Sequence, residues 1–531
     1  MQWLPETRDG LSGVTVDTSR VVQRFGDRKI TVSRFRVTGA ELFSHELLEG
    51  LLSGYVGRAL NSGELYEAAQ RITAYYARHR FLARAVVPEQ DVRDGEVRIH
   101  VIEAKLGKVE VTEQNCVRLG RDRAAAYVTG AQAPGEQIRI DDLERGLLLL
   151  QGNCGAVSSA TVHRGQTPGT SDVSVNLDKS PLVGGEARFE NFGGLATGEY
   201  RGNATVNLNS PLGIGDRLSL RAMYTDGISY GRAQYAVPVG THGLTAGVSG
   251  SWLGYRLGGD FKVLDATGES VTAGGSLSMP LILRRRSNLF CLLGYEYRHF
   301  TDKISSLTYG DKSERTGTLS VGGGWFDDVL GGGFTTVYSM LTIGNLDLSK
   351  IPAAASADRQ GAQAAGDYRK LNLSLSRIQR LFSTENMLTI SMTGQVAGSN
   401  LDSSEKFILG GVYGVRAYPQ GEAPGDQGLL VSAELHHAFS PVVDLFGFYD
   451  CGTVRQHVDL NPPLQRGMRG SNVYSLDGIG AGVLLKPAER FIVKGMVATR
   501  LRSNPAPDLN GNDHDGSRRQ PRFWVDVSYQ F

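Results

Sequence analysis

Apolar and polar residues alternate along much of this sequence, in segments of about ten residues that begin near Leu182. Tyr200–Leu208 reads YRGNATVNL and Leu388–Val396 reads LTISMTGQV, each with apolar or small residues on one side. A soluble β-sandwich also alternates, but its strands are shorter. About ten residues is the length that a tilted strand needs to cross a bilayer. The pattern therefore predicts a transmembrane antiparallel β-barrel.

The length of the alternating region, residues 181–531, gives the number of strands. A strand with its share of the loops takes roughly 20–24 residues, so the region accommodates about 16 strands. Short turns such as Asn209–Asp216 alternate with longer polar stretches such as Ile351–Asp367, as barrel turns and loops do. An even number of strands returns the chain to the side of the membrane from which it entered.

The final segment alternates most clearly. Five apolar residues share one face, and the last of them is the C-terminal aromatic residue: Phe523, Val525, Val527, Tyr529 and Phe531. The opposite face carries Trp524, Asp526, Ser528 and Gln530. A terminal aromatic residue on such a strand resembles the assembly signal that the outer-membrane insertion machinery reads. We therefore predict a bacterial outer-membrane protein, with outer-membrane lipids and the barrel insertion machinery among its partners.

Two smaller α+β modules precede the barrel. In the first, at residues 29–104, a strand, two helices and two further strands are predicted. Ser44 stands at the N-cap position of the first helix, and Asn61 and Glu64 have capping-box spacing before the second helix. A looser copy of the same order of elements follows at residues 105–180.

Residues 75–111 resemble the POTRA domains of two-partner secretion transporters, which are periplasmic modules. The sequence of this stretch is YYARHRFLARAVVPEQDVRDGEVRIHVIEAKLGKVEV. The resemblance implies a small sheet with an exposed edge and a helix beside it. Such an edge can add an extended client strand through backbone hydrogen bonds. A rigid spacer that only orients the barrel is the alternative interpretation of these modules.

Residues 1–28 form a separate N-terminal segment, which we interpret as a plug or a linker. The segment has no basic region followed by an apolar run, so we expect that a signal peptide has been removed from this sequence. Pro5 and several glycines weaken its helical pattern, so the sequence does not decide whether the segment forms a plug helix.

The four cysteines, Cys116, Cys154, Cys291 and Cys451, include no CxxC pair, so their spacing does not support zinc or thioredoxin chemistry. Cys116 and Cys154 fall in the same module. A disulfide between these two residues and two separate buried thiols both fit the sequence.

Composition and motifs argue against nucleic-acid binding and catalysis. Lys and Arg number 56 against 55 Asp and Glu, whereas a nucleic-acid binder shows a basic excess. Residues 227–231 match GxSxG, but strand-like residues flank them on both sides, whereas a nucleophile elbow needs a following helix. Residues 45–49 begin like HExxH but end in Glu, which removes the second zinc ligand. We expect no enzyme activity, no metal and no cofactor.

A glycine-rich stretch, Gly410–Gly428, interrupts the strand pattern with GGVYGVRAYPQGEAPGDQG. Loops of this length are more often functional than simple connectors. The stretch FILGGVYGVRAY and the later Phe448-Tyr449-Asp450-Cys451-Gly452 resemble two motifs of TpsB transporters, the haemolysin secretion/activation proteins of the ShlB/FhaC/HecB type, which are related to BamA. One motif is Val-Arg-Gly-Tyr/Phe followed by Gly-Asp-x-Gly, and the other is Phe-x-Asp-x-Gly.

The resemblance implies that residues 401–428, here called the inner loop, fold back into the barrel. The loop residues that carry the motif are Gly414, Val415, Arg416, Ala417, Tyr418, Gly425, Asp426 and Gly428. The wall residues are Phe448, Asp450 and Gly452. By this resemblance Arg416 meets Asp450, and solvated lumen charges are the alternative. Ala417 stands where the family has glycine, which is tolerated if its backbone angle φ is negative.

The resemblance also implies the function. We expect a translocator that captures an unfolded, β-rich TpsA-type exoprotein in the periplasm and passes it through the barrel without ATP. A BamA-like assembly factor is an alternative that would carry more POTRA domains. A passive porin is an alternative from a different class, and it would need no POTRA domains.

Overall fold

A computed structural model describes residues 14–16, 29–114, 118–154, 158–167, 169–177, 181–468 and 470–531. The chain divides into two compact units, one built mainly from residues up to 181 and the other mainly from residues 182–531. The choice between a disulfide and two separate thiols at Cys116 and Cys154 lies outside the described residues. Within the N-terminal segment the structure describes only Val14–Val16, so the question of a plug helix also lies outside them.

The first unit contains nine strands and four α-helices among the described residues. The strands are β1 Val14–Val16, β2 Ile30–Thr31, β3 Arg34–Thr38, β4 Ala59–Leu60, β5 Ala83–Val86, β6 Glu96–Glu103, β7 Lys105–Gln114, β8 Ser158–Arg164 and β9 Thr170–Leu177. The helices are α1 His45–Gly50, α2 Ser62–Arg78, α3 Arg121–Ala131 and α4 Ile140–Cys154, with a 3-10 turn at Ser53–Tyr55.

The first module packs α2 against a three-stranded sheet of order β3-β6-β5. The helix begins with a complete capping box, in which the Asn61 side chain accepts from the Glu64 amide and the Glu64 side chain accepts from the Asn61 amide. Ile72 on the helix and Val97 on β6 are fully buried, as their periodicity predicts. On the short helix α1, Leu48 is fully buried, whereas Leu47 is 44% exposed.

Glu103, at the end of β6, ties this module together. One of its carboxylate oxygens accepts hydrogen bonds from the Tyr76 hydroxyl at 2.6 Å and from the amides of Glu41 and Leu42 at 2.9 Å each. Burial, followed by the hydrogen bond with Glu103, raises the pKa of Tyr76 well above its usual value. The contact joins α2, β6 and the segment before α1.

The second module has a sheet of order β1-β8-β9-β7. Strand β1 pairs in parallel with β8, with Val14 opposite Ala160, and β7 pairs in parallel with β9. The leucines predicted for the buried side of α4, Leu143, Leu147 and Leu150, are buried. Helix α3 was missed by the sequence analysis. Its buried residues, Ala124, Tyr127 and Val128, share one face but cover only a single turn, so its apolar stripe is short.

The second unit is a closed barrel of sixteen antiparallel strands, which confirms the predicted fold class. The first eleven barrel strands are β10 Val183–Glu190, β11 Arg201–Asn209, β12 Arg217–Tyr224, β13 Ile228–Val239, β14 Leu244–Arg256, β15 Ala266–Leu283, β16 Ser287–Ile304, β17 Leu307–Asp327, β18 Gly333–Asp347, β19 Gly366–Leu381 and β20 Ser383–Ala397. Two short strands of the inner loop come next, β21 Phe407–Ile408 and β22 Pro424–Gly425. The last barrel strands are β23 Gln427–Ala438, β24 Val443–Arg455, β25 Val473–Ala488, β26 Phe491–Arg500 and β27 Arg522–Gln530.

Two short α-helices lie in the connections of this unit, α5 Pro352–Gln360 and α6 Pro462–Gly467. Two 3-10 helices, Gly259–Leu264 and Val329–Gly331, lie in further connections. Of residues 227–231, only Gly227 lies in the connection between β12 and β13. The others begin strand β13 and no helix follows them, so they do not form a nucleophile elbow. Among the described residues, no helix is both long enough and apolar enough to span a bilayer.

Alternation places apolar side chains on the outer face of the barrel. Exposed residues on that face include Val248, Tyr295, Ile343 and Val396. In β27, the residues of the predicted assembly signal follow the same rule: Phe523, Val525, Tyr529 and Phe531 are exposed, and Val527 is partly buried. Trp524, on the opposite face of this strand, is buried. Strand β27 also closes the barrel by pairing with β10.

We predict that Glu103→Ala loosens the first module. The change leaves the buried Tyr76 hydroxyl and the partly buried amides of Glu41 and Leu42 without their acceptor, and a buried unsatisfied group costs about 1–3 kcal/mol. Hydrogen–deuterium exchange of the full-length protein is expected to become faster across α2 and β6. Glu67→Ala, a change at an exposed position of α2, is the control and should leave exchange unchanged. Equal exchange in both variants would contradict the role of Glu103.

Candidate functional site

The inner loop packs against the inner face of the barrel wall. It leaves β20, forms a short ladder in which β21 pairs with β22, and returns to the wall at β23. Its apolar residues are buried together with inward-facing side chains of β23–β27. The loop members of this cluster are Phe407, Leu409, Val412, Val415, Ala417, Tyr418 and Ala423, and the wall members include Phe446, Phe448, Leu476, Met496 and Trp524.

Arg416 forms a bidentate ion pair with Asp450 of β24. The Arg416 Nε donates to Asp450 Oδ2 at 2.8 Å and Nη2 donates to Oδ1 at 2.6 Å, while the Arg416 amide donates to Oδ2 at 3.1 Å. Ser432, opposite Asp450 in the register of β23 and β24, donates to Asp450 Oδ1 at 2.7 Å and accepts from Arg416 Nη2 at 3.1 Å. Asp450 is fully buried and Arg416 is 4% exposed, so solvent screens the pair weakly.

Three further wall residues complete the surroundings of Arg416. A carboxylate oxygen of Glu434 on β23 accepts a short hydrogen bond from Arg416 Nη1. The guanidinium carbon lies 3.5 Å from the centroid of the Phe448 ring, in cation–π geometry. The indole Nε1 of Trp524 donates to the Arg416 carbonyl at 2.9 Å. The side chain and the backbone of Arg416 are therefore both held by the wall.

This arrangement fixes a position more than it adds stability. A buried ion pair gains little over well-packed apolar groups, because both charges lose their hydration. Removing one partner is nonetheless expensive, at about 3–5 kcal/mol, since the remaining charge stays buried without compensation. The bidentate geometry also favours a single orientation of the guanidinium. The loop tip therefore has one preferred seat on the wall.

Close approach explains the glycines of the two motifs. A Cβ on Gly452 of β24 would lie 2.4 Å from a methyl carbon of Leu409 and 2.6 Å from the Leu429 carbonyl oxygen. A Cβ on Gly428 would lie 2.2 Å from the Phe407 ring. All three distances are too short for a side chain. Equally short contacts would arise at Gly414 and Gly425.

The alanine that departs from the family motif fits its place. Ala417 is not among the described residues with positive φ, so it carries no left-handed strain. It is buried, and its methyl group fills the space over Gly478, where an added Cβ would lie only 2.5 Å away. Val415 and Tyr418 beside it are fully buried, and the Tyr418 hydroxyl donates to the Arg502 carbonyl at 3.2 Å.

Asp426 fastens the return of the inner loop. Its carboxylate accepts from the Leu401 amide at 3.1 Å, from the Val458 amide at 3.0 Å, and from Lys406 Nζ in a short contact. The Lys406 ammonium also donates to the Gln456 carbonyl at 2.9 Å. One buried carboxylate therefore joins both ends of the loop to the connection that follows β24.

Glu422 joins the inner loop to the connection between β26 and β27. Its carboxylate accepts from the His514 amide at 2.8 Å and from the Asn504 side chain at 3.2 Å. Burial raises the pKa of Glu422 above its usual value, although these two hydrogen bonds lower it. The sequence analysis did not single out this residue.

Glu434 and Trp524 were also missed as partners of Arg416, although the alternation of β23 and β27 points both of them inward. In β23, Leu429 and Leu435 are exposed on the outer face, so Ser432 and Glu434 belong to the inner face. A carboxylate on an inner face is a usable signal. Sequence spacing alone cannot show that it meets an arginine eighteen positions earlier.

Comparisons with known proteins agree with this architecture. The model of the haemolysin secretion/activation protein family ShlB/FhaC/HecB matches residues 169–471, and the model of the ShlB-type POTRA domain matches residues 30–104. The first match spans more than half of the chain. The chain therefore belongs to the ShlB/FhaC/HecB family of haemolysin secretion/activation proteins.

Two relatives show the extent of the similarity. The chain is 27% identical over 501 residues to the heme/hemopexin transporter protein HuxB of Haemophilus influenzae (strain ATCC 51907 / DSM 11121 / KW20 / Rd), which covers 92% of this chain and 85% of HuxB. It is 24% identical over 418 residues to the outer membrane transporter CdiB of Dickeya dadantii (strain 3937), which covers 74% of this chain and 71% of CdiB.

Solved structures show the same fold. The structure of CdiB from Escherichia coli matches with a TM-score of 0.71 at 19% identity, over 97% of this chain and 93% of that one. The structure of BamA from Haemophilus ducreyi lacking POTRA domains 1–3 matches with a TM-score of 0.55 at 14% identity, over 95% of this chain and 100% of that one. At these identities the likeness concerns the fold alone.

Fold and family together define the class of protein. It is a bacterial outer-membrane transporter of two-partner secretion, with a sixteen-stranded barrel preceded by POTRA domains that face the periplasm. The family is one of transporters rather than enzymes, and it implies a secreted exoprotein as partner.

We predict that Gly452→Ala loosens the inner loop. The added methyl group overlaps Leu409 and the β23 backbone, and such overpacking costs about 1–3 kcal/mol. Hydrogen–deuterium exchange of residues 407–418 in the purified protein should become faster. Gly447→Ala is the matched control, because it lies on the outer face of the same strand and a Cβ there lies 3.9 Å from the nearest atom. The prediction fails if both variants exchange like the parent protein.

Proposed function

We propose that this protein passes an unfolded, β-rich TpsA-type partner from the periplasm through its barrel to the cell surface, without ATP. The proposal rests chiefly on one observation, the inner loop held on the inner wall by the Arg416–Asp450 pair. Such a loop occupies the route of the client and must rearrange for a chain to pass. Its polar contacts to the wall can break and re-form within the lumen, where water can replace them.

The periplasmic modules supply the capture step of this proposal. We assign them to residues 29–104 and 105–180, before a barrel at residues 181–531. In the first module, β5 lies at the edge of its sheet beside α2, and the Ala85 amide donates to the Thr73 hydroxyl at 3.0 Å. An extended client strand could add to this edge through backbone hydrogen bonds. It would have to displace only the Thr73 hydroxyl from the Ala85 amide, and not a neighbouring strand.

Energy for directional transport would come from the client. An unfolded chain that folds on the cell surface cannot slip back, so folding outside biases its movement. HuxB and CdiB are both named as transporters, which supports a transport role for this chain. Folding-driven passage needs no nucleotide.

We predict that Arg416→Ala reduces surface delivery of the secreted partner. The change leaves Asp450 buried without its counter-ion and removes the seat of the loop tip. The measurement is the amount of partner on the cells and in the medium, per folded transporter in the outer membrane. We expect a fall of about tenfold or more, as for loss of a buried charged contact.

Arg377→Ala is the matched control for this experiment. Arg377 also forms a bidentate ion pair in the barrel unit, with Asp327 at 2.7 and 2.9 Å. Its other hydrogen bonds go to Thr335 and Gln379, which lie on barrel strands and not in the inner loop. Its loss should leave delivery unchanged. Normal delivery by Arg416→Ala would remove the loop–wall pair from the proposed mechanism.

We also predict that the purified transporter acts without nucleotide. Reconstituted in liposomes, it should move urea-unfolded partner across the bilayer, where the partner becomes protected from added protease. Prefolded partner should stay accessible to the protease, because a folded domain cannot thread the lumen. Transport that appears only on addition of ATP would overturn the energetic part of the proposal.

A further inference from the structure

The inner loop has a second set of ionic contacts, on a different sector of the wall from Arg416. They belong to its first residues, 401–408, here called the stem. The partners of Arg416 lie on β23, β24, β26 and β27. The ionic partners of the stem carboxylates lie on β16, β17 and β19.

Glu405 is the centre of this second set. Its carboxylate contacts Arg298 Nη1 of β16 at 2.5 Å and Lys370 Nζ of β19 at 2.8 Å. Lys370 Nζ also donates to the Glu405 carbonyl at 2.8 Å, and Gln395 Nε2 of β20 donates to the same carbonyl at 3.0 Å. Glu405 is only 5% exposed. Side chain and backbone of one stem residue are therefore both fixed to the wall.

The wall cations are themselves held in place. Arg298 Nη2 contacts Glu296 at 2.9 Å, and its Nη1 lies 3.4 Å from Glu314, which is fully buried. The Tyr368 hydroxyl donates a short hydrogen bond to the other oxygen of Glu314. Arg298 therefore faces three carboxylates, and loss of Glu405 leaves it partly compensated, so the barrel itself should tolerate the change.

A neighbouring stem residue makes a parallel contact. Asp402 Oδ1 lies 2.6 Å from Lys312 Nζ of β17, and both side chains are largely buried. The Lys312 ammonium also lies 5.0 Å from the centroid of the Phe300 ring. The stem is thus held by two carboxylates and three wall cations.

We propose that Glu405 is a positioning residue, a second anchor that keeps the stem of the inner loop on the β16–β19 wall when Arg416 leaves Asp450. Release of Arg416 alone then frees only the loop tip. Clearance of the lumen requires the Glu405 contacts to break as well. This inference rests on the proposed role of the loop as a gate, but its geometry and the channel recordings that test it do not involve a client.

Single-channel recording of the purified full-length protein in planar lipid bilayers tests the anchor. Glu405→Gln keeps the size of the side chain but removes its charge and one of its two acceptor oxygens, so the stem should leave the wall more often. We expect the fraction of time in the open state to rise by about tenfold, the scale for loss of one charged contact in a two-state element. Glu405→Asp, which keeps the charge, should remain closer to the parent protein.

The double variant Glu405→Gln with Arg416→Ala separates two anchors from one. Independent anchors predict that each single variant opens the channel partly and that the double variant opens it more than either. Arg298→Gln removes the same contact from the wall side, and combined with Glu405→Gln it should add little further opening. If the Glu405→Gln variant does not insert into the bilayer, Arg298→Gln tests the same contact in its place.

Asp327→Asn is the matched control, since it neutralises a carboxylate of β17 that pairs with Arg377 rather than with the inner loop. Heat-dependent mobility on electrophoresis verifies that each barrel is folded. The anchor is overturned if Glu405→Gln and Arg298→Gln both open no more than Asp327→Asn. Increased opening with normal partner secretion would uphold the anchor and overturn instead the role of the loop in secretion.

Discussion

The buried pair of Arg416 and Asp450 is the interaction on which the interior of this protein depends. A barrel wall of alternating residues encloses a polar lumen, and a loop inside it stays on the wall only if specific contacts hold it there. The bidentate ion pair is such a contact, because its loss would leave either charge alone in a poorly hydrated site. Ser432, Glu434 and Phe448 then fix the guanidinium from the wall side.

Small residues on the wall make this contact geometrically available. Gly452 and Gly478 leave room for Leu409 and Ala417, so the loop backbone can approach the strands closely. The same closeness leaves little tolerance for added atoms, which is why the glycines matter as much as the charges. Ala417 shows the limit of a motif: its methyl group fits because φ is not positive and Gly478 lies opposite.

Under the proposed function the inner loop has to move, and polar anchoring suits such a loop. Apolar packing over the whole loop would hold it without a switch, whereas ion pairs at Arg416 and at Glu405 can exchange protein partners for water in discrete steps. Arg416 and Glu405 contact different strands, so the loop tip can leave the wall while the stem stays in place. Asp426 and Glu422 add contacts between the loop and two connections, the one between β24 and β25 and the one between β26 and β27.

Sequence patterning was enough to predict the barrel, because alternation with a period of two residues over spans of about ten is typical of strands that cross a bilayer. The alternation continues into the last strand, where Val525 and Phe531 lie on the apolar face. The sequence also marked Arg416 and Asp450, through motifs on separate strands. It did not find α3, whose buried face covers a single turn, or the partners Glu434, Trp524 and Glu405. Those contacts join residues far apart in the chain, and only closure of the sixteen strands brings their inner faces to one lumen. Alternation decides which way a side chain points, but the tertiary structure alone decides what it meets.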